Sequence, residues 1–173
     1  MKAVILAALV AVLVTASITD IRRHRIPNWL TLPAVVAGLG LNASGAPGLL
    51  FGFEGLLLGL GLFMIPYLLG GIGAGDVKLL AAVGAMVGPR TVLIAALCAT
   101  LVGGIYALAL MAVHPRARAT RAAVIVTLVR FFSSRSIRYD SPGRGETVPT
   151  LCYGVAIAAG SVLAVALEGT WPW

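Results

Sequence analysis

Charge is scarce in this chain of 173 residues. Asp, Glu, Lys and Arg together make up 11% of it, against roughly 25% in a typical soluble domain. That shortage excludes an ordinary soluble fold. Disorder is excluded too, because it needs low hydrophobicity and 60% of these residues are hydrophobic. Cysteine is equally sparse. Cys98 and Cys152 alone cannot build a disulfide framework or a CxxC zinc site, and both lie in apolar runs expected to bury their thiols. The two histidines, His24 and His114, have no metal-ligand partners nearby in sequence, so neither a metal nor any other cofactor is expected. What the chain does have is apolar length, with a mean hydropathy of +1.01, and a net charge of +7. A basic balance can signal nucleic acid, but no soluble surface is left to present it, so no nucleic-acid partner is expected. The class is an all-α integral membrane protein.

A helix that crosses the hydrocarbon core needs about 20 mostly apolar residues, with ~17 a practical minimum. Six runs qualify as candidates: 3–19, 29–41, 49–69, 79–87, 91–113 and 148–167. The second is short and holds Pro33. The fourth is half-length, is read as beginning near Asp76, and should terminate at Gly88-Pro89. Basic residues are retained on the cytoplasmic side. With six crossings and the N-terminus outside, Arg22, Arg23, Arg25, Lys78 and seven arginines between positions 116 and 144 fall inside, leaving only Lys2 and Arg90 outside. The opposite orientation reverses that imbalance. A cleaved signal peptide is the alternative for the first run, but Lys2 is its sole leading charge and strong positive charge follows it, which suits an uncleaved anchor better.

Between the last two runs lies the one long hydrophilic stretch. Over 119–132, with Arg118 just before it, Arg121 and Arg130 alternate with Val124, Ile125, Leu128 and Phe132 in the manner of an amphipathic helix. Such a helix would lie on the anionic inner leaflet, followed by a loop through 146. The whole chain, 1–173, is therefore read as one membrane-embedded domain with a cytoplasmic amphipathic segment over 119–147, in contact with membrane lipids.

Six acids remain to be explained, and three of them sit at or within apolar runs: Asp20, Glu54 and Asp76. Charge there is costly and marks candidates for function. Two crossings separate Asp20 from Asp76, so both return to the inner face. A carboxylate pair at one depth suits aspartic proteolysis. Two like charges a few ångströms apart share a proton, and the pair titrates in two macroscopic steps. One member then takes a proton from water while the other polarises a carbonyl. Taken singly, each aspartate is better explained as a helix-terminal interfacial residue. Asp76 follows Gly70-Gly71-Ile72-Gly73-Ala74-Gly75. These glycines offer unusual dihedrals and close backbone approach for a peptide cleft, or close helix packing.

At these residues the chain resembles the prepilin peptidases, membrane aspartyl proteases with a GxGD motif. Gly73-Ala74-Gly75-Asp76 supplies GxGD, continued by Val77-Lys78-Leu79-Leu80. Asp20 followed by Ile26-Pro27-Asn28 resembles the family's first motif, and Tyr153-Gly154 onward its final helix. The resemblance implies an endopeptidase that removes the leader of type IV prepilin or pseudopilin substrates at the cytoplasmic face of the inner membrane. Asp20 and Asp76 would be its catalytic pair, with Asn28, Gly73, Gly75 and Lys78 supporting the cleft. Longer relatives carry a CxxC-bearing domain and N-methylate the product. Lacking those motifs, this chain is similar to the short members, including those of tight-adherence pili, so neither methyltransferase nor zinc is expected.

Other residues carry narrower expectations. Asn28 is expected to cap the second helix rather than hold the aspartate loop. Lys78 either snorkels to the headgroups or contacts substrate or phosphate. Glu54 is expected to be a packed or cavity-facing structural acid, and the seven-arginine loop a docking surface for pilus-assembly proteins. The rival to the enzyme is a non-catalytic membrane scaffold or a small proton-coupled transporter that uses the same acids.

Overall fold

From position 2 to 26 the chain has neither glycine nor proline, and a single helix, α1 (Lys2–Arg23), takes up nearly all of it. The computed structural model describes residues 2–69, 71–113 and 153–168. The helix ends where His24 adopts φ 48° and its N–H bonds the Asp20 carbonyl at 2.8 Å, a left-handed cap followed by Pro27. The apolar run stops at position 19, but Asp20 does not end the helix. It lies instead in the last turn, because Ile21, Arg22 and Arg23 continue the spiral and bring basic charge to its negative end. The polar side chains upstream do not interrupt it. Ser17 and Thr19 return their hydroxyls to carbonyls three or four residues back.

Three more helices precede position 114: α2 (Asn28–Ala43), α3 (Gly48–Leu68) and α4 (Ala74–Val113); α5 (Tyr153–Glu168) comes last. Among the described residues there is no strand. Three helical stretches among the described residues are long and apolar enough to cross a membrane, Ala3–Arg23, Gly48–Leu68 and Ala74–Ala109, and α5 is a shorter apolar helix. This is an all-α membrane protein. Its outward-facing side chains agree with a lipid environment: Leu50, Val36 and Leu68 are 76%, 70% and 68% exposed.

The chain divides into two units, Met1–Gly103 with Cys152–Trp173, and Gly104–Leu151. The described part of the second is the continuation of α4 from 104 to 113. The expected amphipathic helix over 119–132, its loop, His114 and Cys152 lie outside the described residues.

Within the first unit, α4 supplies the core. Every residue from Leu79 to Gly88 is buried, which explains why this run is apolar on all sides. The expected break at Gly88-Pro89 is present, though helix resumes at once on the far side. Gly88 has φ 82° and ψ 178°, a left-handed φ that glycine alone adopts without strain, and its missing side chain leaves room for the Phe51 ring. The chain reverses there. Asp76 acts electrostatically on Tyr153, and a Cβ on Gly103 would lie 2.5 Å from the Tyr153 ring, so both limbs of α4 lead away from Gly88 toward Tyr153.

The break leaves backbone groups to be satisfied. Pro89 has no N–H for the Ala85 carbonyl four residues back. Asn42, 1% exposed near the end of α2, supplies it: its Nδ2 donates to Ala85 O at 2.8 Å and to Met86 O at 3.2 Å. α3 reaches the same limb through a stripe of small residues, Gly52, Gly55 and Gly59, all buried. Gly55 meets Gly84 backbone to backbone, and a Cβ on Gly59 would stand 2.6 Å from the Leu80 carbonyl oxygen. Small residues let helices approach this closely in lipid, where no hydrophobic effect drives them together. Where α4 resumes after Pro89, Thr91 hydrogen-bonds Glu168 at the end of α5 and Arg90 pairs with Glu168 at 3.5 Å.

Candidate active site

Asp20 and Asp76 arrive at one end of the bundle from opposite chain directions. Asp20 belongs to the last turn of α1, Asp76 to the first turn of α4, and they are 6% and 9% exposed. Asp20 is close enough for its charge to act on Asp76. In both, Oδ2 accepts a hydrogen bond from a glycine N–H. Gly154 donates to Asp20 at 2.8 Å, and Gly73 donates to Asp76 at 3.0 Å.

The two anchors differ in origin. Asp76 is held locally, since Gly73 immediately precedes α4 and Asp76 is its third residue. The carboxylate reaches back to the capping N–H while the Asp76 N–H bonds the Gly73 carbonyl at 3.1 Å, half of a capping box. The positive end of the helix dipole also favours a carboxylate there. Asp20 has no such local donor. Its partner opens the last helix, where the first N–H groups have no intrahelical acceptor.

The glycines of GxGD act by absence of bulk rather than by special dihedrals, because neither Gly73 nor Gly75 has a positive φ. A Cβ on Gly75 would stand 3.0 Å from Ile26 Cβ and 3.3 Å from Ile26 N. The loop after α1 therefore lies directly on the start of α4, and Ile26 is buried there. A Cβ on Gly154 would stand 2.9 Å from Asp20 Oδ2.

A second tie closes the same loop. Lys78 Nζ donates to Asn28 Oδ1 at 2.9 Å on the exposed side. This corrects the expected capping role of Asn28. It is the first residue of α2, Pro27 occupies the cap position without a side-chain bond, and the Asn28 carboxamide turns to Lys78 instead. The structure thus brings Asp20, Asp76, Asn28, Gly73, Gly75 and Lys78 into one neighbourhood. It does not bring Glu54 there: that side chain is exposed on α3 rather than packed. Cys98 is half-buried rather than buried.

Two residues beside the aspartates were missed as site residues in the sequence. Gly154 was visible only as part of the stretch resembling a final helix. Tyr153 packs its ring edge on Phe63, with centroids 5.8 Å apart at 61°, and lines the same apolar groove as Thr100.

A family model described as the type IV leader peptidase family matches residues 7–108. The chain belongs to that family. Two similar proteins are the prepilin leader peptidase/N-methyltransferases of Burkholderia pseudomallei strains 1026b and K96243. Each is 39% identical over 107 residues, covering 55% of this chain and 35% of the relative. The match thus spans about a third of those relatives' length. No solved structure matches the chain. The matched stretch of this chain includes both aspartates, the Asn28–Lys78 pair and GxGD. Gly154, the residue that anchors Asp20, lies beyond the matched residues.

Proposed function

We propose that this leader peptidase family member is a membrane aspartyl endopeptidase that removes the leader of type IV prepilin-like substrates, with Asp20 and Asp76 as its catalytic pair. The observation that carries the reading is the paired anchoring of the two carboxylates by the Gly154 and Gly73 N–H groups. Two buried like charges within electrostatic range share a proton. The ionised aspartate takes a proton from a water as its oxygen attacks the scissile carbonyl. The protonated aspartate hydrogen-bonds the carbonyl oxygen as charge develops on it. Collapse of the tetrahedral intermediate breaks the C–N bond, the departing nitrogen receives a proton, and the products are a carboxylate and a free amine. The backbone anchors hold both groups without reorganisation, which is where a preorganised site gains rate.

In this reading all six helical runs, counting the limbs of α4 separately, cross the inner membrane with the N-terminus outside, and the aspartates face the cytoplasmic boundary. Arg22, Arg23 and Arg25 are exposed beside them, as retained cytoplasmic charge would be. The substrate is a prepilin or pseudopilin whose basic leader stays in the cytoplasm beside an apolar helix. Pilus or secretion-system assembly is the process served, and pilus-assembly proteins are the partners the arginine-rich loop would meet. The test is incubation of purified protein with tagged prepilins and mass spectrometry of the products. A single new N-terminus at the leader junction supports the reading, and an intact substrate contradicts it.

A further inference from the structure

At the end of α5 remote from the aspartates stands an acid that the proteolytic step does not use. Glu168 closes α5, and its side chain is only 13% exposed. A carboxylate there faces the negative pole of its own helix dipole, which disfavours it. Its partners lie on the neighbouring helix. Glu168 Oε2 accepts a hydrogen bond from the Thr91 hydroxyl, and Oε1 lies 3.5 Å from Arg90 Nε. Both partners fall in the first turn of the second limb of α4, just after Gly88 breaks the helix and Pro89 restarts it. That end carries the positive pole and N–H groups without intrahelical acceptors. The unfavourable place on α5 thus becomes a favourable one against α4, and only in one register of the two helices.

The rest of α5 does not fix that register. Ala156, Gly160 and Ala164 are buried at four-residue spacing, and a Cβ on Gly160 would stand 2.5 Å from Ala99 N and 2.8 Å from Ala95 O. Such a smooth contact sets how closely helices approach, but it offers no bulky side chain to stop sliding. Ser161 bonds within its own helix, at the Ile157 carbonyl. Tyr153 meets Phe63 edge-on, a geometry satisfied over centroid separations of about 4.5–7 Å. Gly154 precedes Glu168 by about 21 Å of helix, and a helix carries an axial displacement from one end to the other. Resting on the peptidase reading, we propose that Glu168 is a positioning residue: by clasping Thr91 it fixes α5 along α4 and so holds the Gly154 N–H on Asp20. Arg90 adds little, because it is 79% exposed and water screens such pairs. The hydroxyl of Thr91, a buried residue, does the holding.

The experiment uses the full-length protein in liposomes, with membrane insertion verified for every variant. It reads two quantities: kinetics on a tagged prepilin, and the distance between spin labels on Val14→Cys in α1 and Val162→Cys in α5. Both label positions are exposed, and Cys98→Ser and Cys152→Ser remove the native thiols. Glu168→Ala and Thr91→Val are expected to lower kcat by about tenfold with KM unchanged, within the ~100-fold that a misplacement of about 1 Å can cost. Both are also expected to shift or broaden the label distance. Glu168→Gln keeps an acceptor for Thr91, and Thr91→Ser keeps the hydroxyl, so these two are expected to retain rate and distance. Arg90→Ala is expected to match wild type, as is Leu167→Ala, at an exposed position of the same helix. An unchanged kcat in both Glu168→Ala and Thr91→Val overturns the positioning role. So does a loss of rate that Glu168→Gln and Thr91→Ser share, because the hydrogen bond would then not be its cause. If the wild type cleaves no prepilin, the peptidase reading falls, while the label distances still decide whether Glu168 holds α5 in place.

Discussion

The Gly154 N–H donates to Asp20 Oδ2 at 2.8 Å across 134 positions of sequence, so the first and last described helices meet at the carboxylate. Asp76 takes its corresponding bond from Gly73, three residues away. One half of the candidate site forms with its own helix end. The other half exists only when α5 is in place against α1.

That asymmetry makes Gly154 the more sensitive glycine. A Cβ there stands 2.9 Å from Asp20 Oδ2, whereas one on Gly73 stands 3.3 Å from Asp76 Oδ2. Displacement of a reacting group by about 1 Å can cost ~100-fold in rate. Gly154→Ala is expected to lower kcat on a prepilin substrate by tenfold or more, on the order of that limit, and by more than Gly73→Ala. Steady-state kinetics on membrane-inserted protein measures both.

Gly75→Ala should also impair cleavage, and Ile26→Ala should not rescue it. The atoms that an added Cβ would meet are Ile26 Cβ, N and O, which alanine retains. Rescue in the double variant would show that the clash involves the rest of the isoleucine side chain.

Asn28 and Lys78 form one link, so their variants should not add. Asn28→Ala, Lys78→Ala and the double replacement are expected to reduce kcat/KM to the same extent. Additive losses would mean that each residue acts separately, as a substrate or phosphate contact by Lys78 would.

Asn42→Ala leaves the buried carbonyls of Ala85 and Met86 without the donor they now have. Each unsatisfied buried group costs ~1–3 kcal/mol. The expected outcome is a lower unfolding midpoint in detergent, with kcat of the folded fraction near wild type.

These relationships also explain what could be read from the sequence. The apolar runs, the GxGD glycines and the aspartates were legible because length, hydropathy and local spacing encode them. The half-length run before Gly88 looked doubtful as a span, and the structure supplies the reason for its character: it is a buried central limb whose freed carbonyl is served by Asn42, 43 positions away. Asn28 carried a capping signal, but its partner is Lys78, 50 positions on. Asp20 looked like a helix terminator because charge ended the apolar run, although hydrogen bonding carries the helix one turn further. Glu54 stood out by charge alone, and no spacing rule tells which face of α3 is left outside. In each case the missing information was a tertiary partner, which periodicity does not encode.

Asp20 and Asp76 are proposed to act as one pair. The most direct measurement is the pH profile of kcat/KM for purified wild type, Asp20→Asn and Asp76→Asn on the same tagged prepilin, with membrane insertion verified for all three. A bell-shaped wild-type profile is expected, because one acid and one base are both required, with no leader removal by either variant at any pH. Full processing by either variant would contradict the assignment.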